Sequence, residues 1–133
     1  TSGNREYALG YASGNDRIRL DVFRATDSDV NVLANNYGTP ATGVWFHVIC
    51  WHDATADQIG IAVNDGTPNT AATGGALQAA GTAQFRVGAR IYPGSENYLN
   101  GRIDAMYKWN RVLTAAERTA LYNGGTGVQY PFS

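Results

Sequence analysis

A chain of 133 residues is long enough to bury roughly two-thirds of the surface its unfolded form exposes, and so to hold one domain with a real core. With a formal net charge of −1, 16% charged residues and no run of like charge, it shows no electrostatic footprint for nucleic acid and no basic face for a membrane surface. No apolar run approaches a membrane span, and the lone cysteine, Cys50, excludes an internal disulfide framework.

Strand signals recur along the chain, broken by Gly, Asn, Asp and Pro. REYALGYA (5–12) is followed by the turn SGND. RIRLDVFR (17–24) alternates, with Ile18, Leu20 and Val22 on one face and Arg17, Arg19 and Asp21 on the other. DVNVLA (29–34) is a weaker strand. GVWFHVICWH (43–52) is apolar on both faces, the pattern of a strand covered from both sides, with Trp45, Trp51 and later Trp109 expected in the core. DQIGIAVN (57–64) alternates through Ile59, Ile61 and Val63, and Asp65-Gly66 supplies a tight turn.

Residues 67–84 are bland in Thr, Ala and Gly, the composition of a loop with a short edge strand. QFRVGAR (84–90) and GRIDAMYKWN (101–110) are expected strands, the second alternating through Ile103, Ala105, Tyr107 and Trp109. TAAERTALYNGG (114–125) is one short helix. Thr114 and Glu117 form a capping-box pattern, and Gly124 stands where a left-handed residue would end the helix. About nine residues of helix cannot stand alone in water, so it must dock, through Leu113, Ala120, Leu121 and Tyr122. GVQYPF (127–132) is an expected closing strand. Many short antiparallel-type strands with turn signals predict a β-sandwich or jelly roll.

Several segments, in order, resemble the laminin-G-like jelly-roll domains of the concanavalin A-like lectin/glucanase superfamily: GVWFHVICW, IAVNDG, FRVGA, and above all YLNGRIDAMYKWNRVLTAAERTALYNGG. The resemblance implies an all-β antiparallel sandwich with one short C-terminal helix packed across it as scaffold. The expectation is a single domain over 1–133, a piece of a longer protein that lacks its N-terminal strands. An unpaired sheet edge left by those strands would make self-association into a homo-oligomer one way to close the sandwich.

Glucanases of the superfamily set carboxylates on one strand to flank the scissile bond. No strand here offers such a set; Asp27 and Asp29 are the sole i, i+2 acidic pair, and they stand in the apparent turn TDSD. Asp27, Asp29 and Asn31 open like a calcium loop, but the EF-hand positions for Gly and Glu are Val32 and Gly38. The resemblance makes Asp104 the calcium candidate, against a plain role accepting backbone N–H bonds. Alternation sends His47 and Cys50 to opposite faces, and no further Cys or His completes a zinc site beside Cys50 and His52. The resemblance implies for His47 the place of a core histidine hydrogen-bonded across the sandwich.

Sugar recognition needs flat aromatic faces with amides and carboxylates beside them for hydroxyls. Two loops carry that chemistry: Asn35, Asn36 and Tyr37 in ANNYG, and Tyr92, Glu96, Asn97 and Tyr98 in YPGSENY. Ordinary turns use the same residues. The leading expectation is a non-catalytic module that binds carbohydrate or a protein surface through rim loops, on an extracellular, cell-surface or virion-associated protein. A glycan-cleaving enzyme and a self-assembling structural domain are the alternatives.

Overall fold

The computed structural model describes residues 6–24, 28–77, 84–92 and 95–129. Strands β1 (Tyr7–Ala12), β2 (Arg17–Phe23) and β3 (Asp29–Leu33) form one antiparallel sheet in chain order. Strands β4 (Val48–Asp53), β5 (Gln58–Val63) and β6 (Asn69–Ala72) form a second in the same way. A hairpin of β7 (Ala89–Tyr92) and β8 (Ser95–Tyr98) makes a third, and helix α1 (Ala115–Tyr122) follows.

The two larger sheets pack face to face as an antiparallel β-sandwich, and the period of two decides which side chains meet. Leu20 and Val22 of β2, Val32 of β3 and Ile59, Ile61 and Val63 of β5 form the buried core with Ala34. Ile18, Val30, Phe46, Val48 and Cys50 pack around it. Burial pushes the Cys50 thiol up to about 11, which makes it an apolar filler and not a nucleophile.

Strand β5 is buried on both faces, and its outer side explains the helix. Gly60 lies directly opposite Trp51 on β4, and a Cβ at Gly60 would overlap the indole ring. The Arg118 guanidinium of α1 stacks on the ring, 4.7 Å from its centroid. Nearby, the Tyr122 ring lies 5.9 Å from that of His47, and the Thr119 hydroxyl donates to Asp65 at 3.0 Å. The helix is thus fastened to the outer face of the β4–β5 pair, with Leu113 buried just before it.

Its start has the expected capping box: Glu117 N–H donates to the Thr114 hydroxyl at 3.3 Å, and Thr114 N–H donates to the Glu117 carboxylate at 2.8 Å. Arg111 adds a two-pronged ion pair to the same carboxylate, at 2.6 and 2.8 Å. Asn123 takes the left-handed conformation that ends the helix, at φ 48°, and Gly124 follows in the same region at φ 62°.

Several expected elements differ. No strand forms over 101–110: Ala105 is left-handed at φ 48°, which breaks an extended run, and Ile103 and Met106 are exposed. The strand expected over 43–52 begins only at Val48, so Trp45 is not a core residue but 61% exposed. Residues 84–88 precede the strand instead of belonging to it, and 127–129 are not paired. Residues 130–132 of the expected closing strand lie outside the described residues. Ala120, expected at the helix contact, is exposed.

Candidate functional site

The turn between β5 and β6 is built by two left-handed residues, Asn64 at φ 51° and Asp65 at φ 57°, before Gly66. Asn64 is locked in place twice. Its N–H donates to the His47 carbonyl at 2.8 Å, while its side-chain carbonyl accepts from His47 N–H at 2.9 Å. This clasp ties the approach to β4 to the end of β5. On the far side, the Asn36 amide donates to the carbonyls of Thr67 and Pro68, both at 3.2 Å, and its own N–H donates to Asn69 at 2.8 Å.

The turn so held divides two hollows. The larger, about 270 Å³, lies between β4–β5 and α1 and is lined by His47, Ile49, Ala62, Asp65, Arg118 and Thr119 among others. The smaller, about 190 Å³, lies between the turn and the loop after β3, with Asn36, Tyr37, Asn64 and Asn69 on its wall. Gly66, Thr67 and Ala62 touch both. The lining mixes a carboxylate, a guanidinium, hydroxyls and amides with an apolar floor, the composition suited to hydroxyl-rich or peptide ligands.

Electrostatics favour a neutral imidazole here. Burial lowers the His47 pKa, against a smaller opposing pull from the Asp65 carboxylate. Its Nδ1 is buried with no hydrogen-bond partner, so the bond across the sandwich expected of this residue is not formed by that atom. As the alternation required, His47 faces the helix side while Cys50 faces the core.

Of the expected ligand residues, Asn36 and Tyr37 come together on the smaller hollow, and Asn35 is exposed beside them. Tyr37 is half-buried, edge-on to Phe46 at 5.7 Å and 80°, so one side of its ring is committed to packing. Tyr92, Glu96, Asn97 and Tyr98 belong to the β7–β8 hairpin, a different sheet. There the exposed Tyr98 hydroxyl donates to Glu96 at 2.5 Å; the side chain of Tyr92 lies outside the described residues. Asp104 is exposed, and among the described residues no three or more His, Cys, Asp or Glu gather as a metal group. The donor set of six to eight oxygens that calcium takes is not assembled around it by carboxylates, so Asp104 does not fit that role on its own. Asp29 is exposed on β3, and Asp27 lies outside the described residues.

Asp65, Arg118 and Thr119 were not singled out by sequence. Asp65-Gly66 reads as a turn and Arg118 as a helix surface residue; only the docking of α1 brings them to one groove.

When the chain was compared with known proteins, a laminin-G-type family model, described as the concanavalin A-like lectin/glucanases superfamily, matched residues 1–117. No curated protein and no solved structure matched it.

Proposed function

Because the chain belongs to the concanavalin A-like lectin/glucanases superfamily, we propose that it is a non-catalytic recognition module that takes a glycan at the paired hollows around the 64–68 turn. Members of this superfamily often bind carbohydrate or proteins. The observation that carries the reading is the turn itself: rigidly clasped on both sides, it presents polar groups into two adjacent hollows of about 190 and 270 Å³. Those dimensions suit one sugar ring each, with Thr67 between them and Tyr37 and Ile49 as apolar walls.

The chemistry of the larger hollow supports binding over cleavage. Glycoside hydrolysis needs two carboxyl groups about 5–9.5 Å apart across the scissile bond. The lining supplies the single carboxylate of Asp65, and it already accepts from Thr119. The module's expected setting is an extracellular, cell-surface or virion-associated protein, the usual station of laminin-G-like domains.

A glycan array tests this, run with calcium and again with EDTA. Specific hits that weaken at least tenfold in Asp65→Asn, which keeps the left-handed turn and the oxygen that accepts from Thr119, and in Thr67→Ala, with melting temperature unchanged, are the expected result. Hits lost in EDTA would add a calcium requirement. Hits insensitive to both substitutions would move the site to the β7–β8 hairpin, where Tyr98→Ala is the variant to read. A blank array in both conditions would overturn the glycan reading in favour of a protein ligand.

A further inference from the structure

Strand β1 is the edge of its sheet: among the described residues it pairs with β2 alone. The Phe23 N–H donates to the Glu6 carbonyl at 3.0 Å, which makes residues 6 and 23 a hydrogen-bonded pair. Hydrogen-bonded and non-bonded pairs alternate along an antiparallel ladder. Residues 8 and 10 therefore turn their backbone groups toward β2, and Tyr7, Leu9 and Tyr11 turn theirs outward.

The same three residues carry an unusual set of side chains. They lie opposite Val22, Leu20 and Ile18, so they point to the core side of the sheet, yet they are 53%, 51% and 59% exposed. The Tyr7 ring lies 6.4 Å from that of His52 on the second sheet. The strand YALGYA has no charge and no proline, the devices that ordinarily guard an edge.

We propose that β1 pairs with the β1 of a second copy of this chain, antiparallel and two-fold symmetric about Leu9. The backbone admits only registers that set Tyr7, Leu9 and Tyr11 against one another, and the register about Leu9 is the one that pairs all three. With Leu9 opposite the partner's Leu9, Tyr7 falls opposite the partner's Tyr11, and every outward N–H and C=O of the three residues finds a counterpart. A shift by one residue in either chain would set outward groups against groups already bonded to β2. The same register places two tyrosine–tyrosine cross-strand pairs around a central leucine pair on one face, a favourable combination. The other face meets through Ala8 and Gly10, which offer no obstruction. Charge agrees as well: the two Glu6 carboxylates stand at opposite ends of the joint, about 20 Å apart at the rise of a strand.

The area sets the strength. An aromatic side chain has about 150–250 Å² to bury, so at these exposures the three side chains of each copy give on the order of 600 Å² in total. A standard stable interface needs about 1,200 Å² or more, which puts this pairing in the weak, concentration-dependent class, to be probed from about 10 μM to about 1 mM. It does not depend on the glycan reading.

Sedimentation equilibrium of the chain across that range should show a monomer–dimer equilibrium, indifferent to added sugar. Leu9→Lys places two like charges face to face at the centre and should weaken the dimer at least tenfold. Register is read separately by cross-linking in a Cys50→Ser background. Directly opposed residues of a bonded pair lie about 5.5 Å apart at Cα, within disulfide reach. Leu9→Cys should therefore cross-link on oxidation, and Ala8→Cys should not. A chain that stays monomeric throughout, or a dimer unmoved by Leu9→Lys and equally cross-linked by both cysteine variants, would overturn the proposal.

Discussion

The stack of Gly60, Trp51 and Arg118 makes the sharpest prediction about what holds the helix side together. Gly60→Ala adds one carbon where the Trp51 indole already lies, against three of its ring atoms. The ring cannot simply lift, because the Arg118 guanidinium is stacked 4.7 Å from its centroid on α1. Overpacking of this kind costs about 1–3 kcal/mol. If the ring moves instead, it forfeits the cation–π contact, about 0.5–2 kcal/mol. Alanine recovers about 0.5–1 kcal/mol over glycine through backbone entropy. The net expectation is a loss of about 0.5–2 kcal/mol. Urea unfolding followed by circular dichroism measures it, with Trp51→Ala and the double variant completing a cycle. With the indole gone, Gly60→Ala should cost nothing or stabilise slightly. A cost that persists undiminished in the Trp51→Ala background would refute the steric account.

Thr114→Ala should destabilise the chain by about 1 kcal/mol through loss of the N-cap, seen as a lower urea midpoint. The Arg111 guanidinium, with the Thr114 N–H and hydroxyl, holds the Glu117 carboxyl down to about 2 from its usual 4.5. Stability from this group is thus complete above pH 4.5 and lost as pH falls toward 2; Glu117→Gln should flatten that part of the pH profile. His47 runs at a higher window. Its folded pKa is depressed by burial, so the unfolded chain takes the proton first and stability drops as pH falls below 6.5, a decline that His47→Leu should remove. Cys50, with its thiol pushed up to about 11, should resist a disulfide reagent at pH 8 in the folded chain and react at once in urea.

Elements that carry their own partner were legible in the sequence. The alternation of 17–24 and of 57–64 encodes the face of each that enters the core, and the left-handed Asn64 and Asp65 make the turn that ends the second. The capping box is legible because both its members lie within four residues. Residues 101–110 show the limit: Ile103, Ala105, Tyr107 and Trp109 alternate, but alternation states a preference for two faces and names no neighbour to pair with. There the chain stays irregular, and the Tyr107 hydroxyl donates to the Val128 carbonyl at 3.2 Å. Trp45 failed for a similar reason. The segment before β4 is held by the left-handed Asn64 and not by a run of strand residues, so the ladder ends at Val48 and leaves the indole outside. The site was half visible. Asn36 and Tyr37 are neighbours in sequence and share a hollow, whereas His47, Asp65 and Arg118 meet only because one docked helix brings together distant parts of the chain.

The two larger sheets each join strands strictly in chain order, β1-β2-β3 and β4-β5-β6. Each can therefore zip up from its own hairpins by closing short loops, which is fast, before any distant contact is needed. The slow step is left to the meeting of two preformed halves, where the apolar faces of β2, β3 and β5 come together at once. During synthesis the first half emerges complete while the second is still in the ribosome, with Leu20, Val22 and Val32 uncovered. Its lifetime in that state is set by how soon β5, which ends at Val63, leaves the ribosome.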